Sequence, residues 1–158
     1  MLLTTHALAG AVIGKNIQNP WIIIILSLII HYVMDSFRHG EYFDDRVAKA
    51  KDTWWKITID LLIGFFIISL IVYYQKSALL TIKNILIGVL FSLIPDFVTL
   101  MHWMFKKNKL LAKIKAFHSW AHRYEKFPKY SKERQWIFRN TLNDIIISLF
   151  AIIILLLF

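Results

Sequence analysis

The sequence predicts an all-α protein, a multi-pass transmembrane bundle of about five helices with one amphipathic helix at the membrane interface. Hydrophobic residues make up 58% of the 158 residues, and they are concentrated in several runs long enough to cross a bilayer as helices. Aromatic pairs flank one of these runs, as is typical of a helix that marks both membrane interfaces. These pairs are Trp54-Trp55 and Tyr73-Tyr74. At this length we expect a single integral membrane domain over residues 1–158.

The pattern of apolar residues places the predicted helices in order along the chain. They cover residues 4–15, 20–37, 54–74, 79–105 and 135–158. At about 1.5 Å per residue the first helix spans about 17 Å, too short to cross a bilayer alone. Asn19 and Pro20 are a typical cap and first residue for the second helix. Pro95 is expected to interrupt and kink the fourth helix, because it leaves a backbone carbonyl one turn earlier without its partner.

The formal charge of +9 is concentrated in a basic segment at residues 104–136. The first half of this segment has the pattern of an amphipathic helix, and His118 and His122 lie at the edge of its apolar stripe, so we expect them to face the bundle. The positive-inside rule places the segment on the cytoplasmic side of an inner or plasma membrane. The charge favours lipid head groups or a phosphorylated substrate as partners, and no nucleic acid is expected.

Imidazoles and carboxylates that lie within apolar helices form the second pattern. On the predicted topology all of them fall in the cytoplasmic half: His6, His31, Asp35, Asp60, Asp96, His118 and His122. Small residues lie about one helical turn from most of them, which marks faces where membrane helices approach closely. We therefore expect these polar groups to point into the bundle and to meet. Asp144, His39 and His102 are open candidates for the same cluster.

A cluster of histidines and aspartates in a low dielectric either takes up protons or binds cations. Mixed imidazole and carboxylate ligands favour Zn²⁺, with Mn²⁺ or Fe²⁺ as alternatives, and this many ligands suit more than one divalent ion. The chain has no cysteine, which excludes thiolate metal sites and a cysteine nucleophile. A structural explanation competes for each residue alone, since a buried histidine usually bonds a carbonyl and Asp144 can simply join helices beside Asn140 and Asn143.

Several short motifs together resemble those of a known family. They are Thr4, Thr5, His6 and Gly10; His31, Asp35 and His39; Asp60; Ile94, Pro95 and Asp96; and Phe117, His118, His122 and Arg123. In order and spacing they resemble the small bacterial and archaeal proteins described as membrane-bound metal-dependent hydrolases. That group is distantly similar to the zinc-dependent phospholipase C/P1 nuclease superfamily. The chain differs from the family pattern at Arg38, where relatives often have proline, and at Phe97-Val98-Thr99, where they often have a second acid.

The resemblance implies phosphoester hydrolysis at a cluster of metal ions. The residues that match as ligands are His6, His31, Asp35, Asp96, His118 and His122, with Asp60 as a ligand or general base. We expect a hydrolase that uses metal-activated water on a phosphoester, with lipid-derived phosphoesters among the candidate substrates. Asp60 and Asp35 are the expected catalytic carboxylates. Basic side chains would orient the phosphate: Arg38, Arg123 and Lys126. The alternatives are a metal or proton transporter, a metal-binding membrane module that uses the same cluster, or polar residues that only fix the packing.

Overall fold

The computed structural model describes residues 1–40, 50–122, 127 and 137–158, and for residues 50–53 it describes the backbone alone. Within these ranges the protein is all-helical, as predicted, and no strand is present. The helices are α1 (Leu3–Asn16), α2 (Pro20–Asp35), α3 (Ala50–Tyr74), α4 (Leu79–Met104), α5 (Lys109–Ala121) and α6 (Phe138–Leu157). The elements that carry the candidate site are therefore all helices and the short connections between them.

Three of the described helices are long and apolar enough to cross a membrane. They are Trp54–Tyr74 within α3, all of α4 and all of α6. This is fewer than the five predicted, because α1 has 14 residues and α2 has 16. Large apolar side chains such as Phe66 and Phe150, each 63% exposed, cover the outer surface of α3 and α6. Such a surface suits hydrocarbon and not water, so the helices suggest a membrane protein.

Helix α1 is the centre of the packing and contacts α2, α3, α4 and α6. Its Ala7, Leu8 and Ala11 are fully buried and form the core with residues of the longer helices. Those partners are Ile68 and Ile71 of α3, Ile85 and Val89 of α4, and Ala151 and Leu155 of α6. Because α1 is too short to span a bilayer, its neighbours have to surround it to shield its ends.

The backbones of α1 and α4 touch at a pair of glycines. A Cβ atom on Gly10 would lie 2.3 Å from the carbonyl oxygen of Gly88, and one on Gly88 would lie 2.1 Å from the carbonyl oxygen of Gly10. No side chain fits at either position, which is the usual reason for small residues between membrane helices. One turn away, the Ser92 hydroxyl donates to the His6 carbonyl at 2.8 Å. The contact therefore sets His6 against the polar face of α4.

The helix ends agree with the sequence predictions in part. The Asn19 side chain caps α2 as predicted, accepting from the backbone N–H groups of Trp21 at 3.0 Å and Ile22 at 3.4 Å. α2 ends at Asp35, earlier than predicted. α4 continues through Pro95 as one helix, so the predicted interruption does not divide it. α6 begins at Phe138, and much of the predicted basic segment lies outside the described residues.

Replacing Gly88 with alanine is expected to destabilise the protein by forcing α1 and α4 apart. Alanine favours a helix over glycine by about 1 kcal/mol, but overpacking a tight contact costs about 1–3 kcal/mol. We expect a net loss in the free energy of unfolding, measured by reversible unfolding in mixed micelles. Gly64→Ala is the comparison, because its new Cβ would lie 3.2 Å from Thr4 Cα, a tight contact that a shift of a few tenths of an ångström relieves, whereas the new Cβ of Gly88→Ala requires the two backbones to separate. Equal stability of the two variants would contradict a rigid α1–α4 contact.

Candidate metal centre

One oxygen of the Asp35 carboxylate is surrounded by three imidazole nitrogens. Asp35 Oδ2 lies 3.0 Å from Nε2 of His31, 2.9 Å from Nε2 of His118 and 3.1 Å from Nε2 of His122. Asp35 and His31 are fully buried, and His118 is 4% exposed. A carboxylate so far from water needs positive charge or hydrogen bonds around it. These three rings are the groups that lie against Oδ2, while the N-terminal ammonium of Met1 lies 3.4 Å from Oδ1.

Helix geometry explains how side chains at the ends of α2 and α5 come together around the Asp35 carboxylate. His31 and Asp35 are one turn apart near the end of α2, so both side chains point from the same face. His118 lies in the last turn of α5, and His122 is the C-cap residue of that helix. Asn108 starts α5 by accepting from the backbone N–H groups of Leu110 and Leu111. The ends of α2 and α5 therefore meet at the cluster.

The other predicted ligands on α1 and α4 lie against the same group. His6 Nε2 is 3.1 Å from Asp35 Oδ1, and the His6 ring stacks on that of His31 with 4.2 Å between centroids. Asp96 Oδ1 is 3.7 Å from His118 Nε2, and its Oδ2 is 3.8 Å from His6 Nε2. The structure thus brings together every predicted ligand except Asp60.

Two groups of these side chains have the geometry to hold a metal ion. The first is His31, Asp35, Asp96 and His118, and the second is Asp35, His39 and His122. Within each group, one ligand atom from every residue lies within 4.8 Å of all the others. Asp35 belongs to both groups. His39, which the sequence left open, joins the second group because it follows the end of α2 and its ring packs on that of His122 at 5.0 Å.

Hydrogen bonds on the far side of two rings orient their free nitrogens. His31 Nδ1 is 2.7 Å from the carbonyl oxygen of Ser92, and His39 Nδ1 is 2.8 Å from the carbonyl oxygen of Phe37. A carbonyl can only accept, so both Nδ1 atoms carry a hydrogen and a neutral ring keeps its lone pair on Nε2. Burial lowers the pKa of the His39 imidazole well below its usual range, which keeps that ring neutral. His39 is therefore in the form that binds metals, and the bond to Ser92 leaves Nε2 of a neutral His31 free for a ligand role.

The spacing and the unpaired atoms of the cluster fit a divalent ion. Within the first group, His118 Nε2 is 3.2 Å from His31 Nε2. Ligand atoms on a tetrahedron with bonds of about 2.0 Å are separated by about 3.3 Å. Among the described residues, Asp96 Oδ2 and His39 Nε2 are buried and have no hydrogen-bond partner. A bound cation would satisfy these orphaned atoms, which otherwise cost free energy.

Asp60 takes a different position from the one predicted. Its Oδ2 accepts from the backbone N–H of Leu3 at 2.7 Å, and its Oδ1 accepts from that of Thr4 at 3.1 Å. Asp144 Oδ1 likewise accepts from Leu2 N at 2.8 Å. The first N–H groups of a helix have no partner within it, and negative charge there complements the helix dipole. Asp60 and Asp144 therefore anchor the start of α1, and neither belongs to either potential ligand group.

Arg38 and His102 are described by the structure, and neither belongs to a potential ligand group. Arg38 Nε donates to Asn140 Oδ1 at 2.7 Å, and the Arg38 carbonyl accepts from Asn143 Nδ2 at 2.6 Å. These bonds tie the residue before His39 to α6. His102 belongs to neither potential ligand group. The predicted substrate contacts Arg123 and Lys126 lie outside the described residues.

Sequence reasoning did not identify the residues that support the ligands. Ser92 is a small residue one turn from Asp96, and this spacing correctly indicates close packing. The hydrogen bond from His31 to the Ser92 carbonyl could not be inferred from the sequence. Every residue has a carbonyl, and only the packing of α2 on α4 decides which carbonyl His31 reaches. Asn140 and Asn143 were noted beside Asp144, and their spacing was the signal that α6 has a polar face.

The fold and the site define a class: an all-helical protein with helices able to cross a membrane and a buried histidine–aspartate cluster that could hold a metal ion. Compared with protein-family models, curated proteins and solved structures, the chain matches none. The likeness to membrane-bound metal-dependent hydrolases therefore stays an expectation from the motifs. Any assignment of function to this protein depends on the geometry of the histidine–aspartate cluster.

Asp60→Asn is expected to weaken the anchoring of α1 without removing a bound metal. The amide keeps one acceptor oxygen and leaves one N–H group poorly satisfied, a loss of about 0.5–2 kcal/mol by analogy with helix caps. Thermal unfolding in detergent and metal content of the same sample measure the two effects. Loss of metal at unchanged stability would instead identify Asp60 as a ligand. Asp96→Asn, which changes a carboxylate of the first potential ligand group, is the comparison.

Proposed function

We propose that the protein is a membrane-embedded, metal-dependent hydrolase that acts on a phosphoester through metal-activated water. The observation that carries this proposal is the convergence of three imidazole nitrogens on Asp35 Oδ2 at 2.9–3.1 Å in a buried position. Such a cluster is costly to keep as uncompensated polar groups within apolar helices, and this cost favours a functional role.

The donor set suits a zinc ion, with manganese or iron as alternatives, because it mixes imidazole and carboxylate groups and has no thiolate. Asp35 belongs to both potential ligand groups, which supports two ions that share this carboxylate. His31, His118 and Asp96 would complete one shell, and His39 and His122 the other. His6 bonds Asp35 Oδ1 and stacks on His31, so it holds both of these ligands in place.

A divalent ion in this site supplies Lewis acidity that activates water and polarises a phosphoryl oxygen. In the first group, Asp96 is the carboxylate whose side chain is exposed, by 27%. We therefore assign Asp96 as the general base that accepts the proton of the attacking water. Asp35 is fully buried and enclosed by imidazoles, which suits the ligand role predicted for it better than the additional catalytic role. Asp60 anchors α1 and is not needed for this chemistry.

The substrate in this proposal is anionic and comes from the membrane or its surface. Arg38 directly precedes His39 of the second ligand group, and its Nε donates to Asn140 of α6, so its backbone lies next to that group. Exposed lysines between α4 and α5 add positive charge around the end of the bundle at which α5 lies. Together these charges favour a phosphoester over a neutral substrate.

The proposal includes a multi-pass topology with the site on the cytoplasmic side. α3, α4 and α6 would cross the membrane, while α1 and α2 fill the bundle as shorter embedded helices, which makes five with α5 at the interface. The density of lysine and arginine around α5 favours that end as cytoplasmic.

The metal is tested on protein purified in detergent without chelator. We expect at least one divalent ion per wild-type chain and an affinity more than about tenfold weaker in His31→Ala and Asp96→Asn, since loss of even an outer-shell partner costs about 10–100-fold. His102→Gln is the matched control, because that histidine lies outside both ligand groups. Metal content is measured by elemental analysis and affinity by competition with a chromogenic chelator.

Hydrolysis is then assayed on the same samples with phosphate monoesters, phosphate diesters and phospholipids in micelles. We expect turnover that falls with the bound metal in the variants and stays with His102→Gln. A metal-free wild-type protein would overturn the proposal at its first step. Bound metal with no turnover on any of these esters, together with metal uptake into proteoliposomes, would favour the transporter.

The topology is tested by single cysteines, because the chain has none of its own. Ala78→Cys lies between α3 and α4, and Lys107→Cys lies between α4 and α5; both positions are exposed. A membrane-impermeant maleimide added to intact cells is expected to label the first and to reach the second only after permeabilisation. The opposite labelling pattern would place the metal cluster on the outer side.

A further inference from the structure

Thr99 on α4 connects the backbone of its own helix to His118 of α5. Its Oγ1 lies 3.1 Å from the carbonyl oxygen of Pro95 and 2.8 Å from His118 Nδ1. The first contact is the common bond of a helical threonine to the carbonyl four residues earlier. The second reaches a residue whose Nε2 lies 2.9 Å from Asp35 Oδ2.

The direction of these two hydrogen bonds follows from their chemistry. A hydroxyl has one hydrogen, and the Pro95 carbonyl can only accept, so Thr99 donates to Pro95. The Thr99 oxygen must then accept from His118, and the hydrogen lies on Nδ1 of that ring. A neutral imidazole protonated on Nδ1 keeps its lone pair on Nε2.

In this tautomer, a neutral His118 has no hydrogen on Nε2 to donate to Asp35. His31 also carries its hydrogen on Nδ1, because it donates to the Ser92 carbonyl. The Nε2 atoms of His31 and His118 therefore face each other at 3.2 Å, each with a lone pair, next to the Asp35 carboxylate. Three electron-rich atoms at this distance repel one another unless a cation or an additional proton lies between them.

We infer that Thr99 is a positioning residue that holds His118 in the Nδ1-protonated tautomer required of a ligand binding through Nε2. The inference rests on the proposed metal centre and deepens it. Without the Thr99 oxygen, His118 gains more by placing its hydrogen on Nε2 and donating to Asp35, and that form cannot bind a metal through Nε2. Fixing the tautomer by an outer bond is how proteins commonly prepare a histidine ligand.

The face of α4 that carries Thr99 organises the cluster from one side. Ser92, Asp96 and Thr99 are separated by four and three residues, so they lie on one face of the helix. The Ser92 carbonyl orients His31, Asp96 contributes a carboxylate, and Thr99 orients His118. Of the two orienting groups, only Thr99 acts through a side chain, which makes it the position that substitution can test.

The experiment measures the tautomer of His118 directly in chelator-treated protein. Two-bond ¹⁵N–¹H correlation spectra at pH 8 distinguish hydrogen on Nδ1 from hydrogen on Nε2, and the His118→Gln variant assigns the signal. We expect Nδ1–H in the wild type and in Thr99→Ser, which keeps the hydroxyl. In Thr99→Val, which has nearly the same shape and no hydroxyl, we expect Nε2–H. Zn²⁺ affinity by chelator competition should fall about 10–100-fold in Thr99→Val alone.

Thr58→Val is the matched control, because Thr58 Oγ1 makes the same bond to a carbonyl four residues earlier, that of Trp54 at 2.9 Å. It should leave the His118 tautomer and the Zn²⁺ affinity unchanged. The wild-type spectrum alone decides the matter if Thr99→Val does not fold, since hydrogen on Nε2 of wild-type His118 would overturn the inference. An unchanged tautomer and affinity in Thr99→Val would do the same.

Failure of this inference is distinguishable from failure of the proposed function. The tautomer is read without metal and without substrate, so it does not depend on turnover. A wild-type protein that binds metal, with an affinity that Thr99→Val does not change, would retain the metal centre and remove Thr99 from it. A wild-type protein that binds no metal would overturn both.

Discussion

The backbone contact between α1 and α4 at Gly10 and Gly88 is the constraint on which the rest of the structure depends. A helix of 14 residues cannot shield its own ends in a bilayer, so α1 is stable only where longer helices enclose it. Close approach to α4 permits this enclosure and leaves the polar end of α1 facing the polar face of α4. The geometry of the candidate metal site is a consequence of this packing, because His6 and Asp96 reach the same point from these two helices.

The polar groups around α1 fall into two classes that differ in what they bind. Asp60 and Asp144 satisfy the backbone N–H groups at the start of the helix, which is an ordinary requirement of a buried helix end. The groups around Asp35 satisfy no such requirement, since they are imidazole nitrogens that face one another and the carboxylate. This difference separates the carboxylates that anchor α1 from the one at the centre of the candidate metal site, although both kinds lie in apolar helices.

Predictions from the sequence succeeded where local spacing carried the information. His31 with Asp35 and His118 with His122 are pairs one helical turn apart, and each pair points the same way as helical geometry requires. Asp60 was assigned to the cluster because a carboxylate in an apolar helix is costly, but the same cost is relieved by capping a neighbouring helix. His39 was left open because it lies beyond the end of α2, where helical spacing no longer applies.

The sequence by itself determined the all-helical class, the cap of α2 by Asn19, and the set of polar residues from which a site could be built. These follow from hydrophobic periodicity and from the energetic cost of polar groups in apolar segments, both of which are local properties. Only the tertiary structure decided which carboxylate lies at the centre and which groups support the ligands. Asp35 and Asp60 look alike in sequence, and what distinguishes them is whether imidazole nitrogens or backbone N–H groups from other helices lie within about 3 Å of their oxygens.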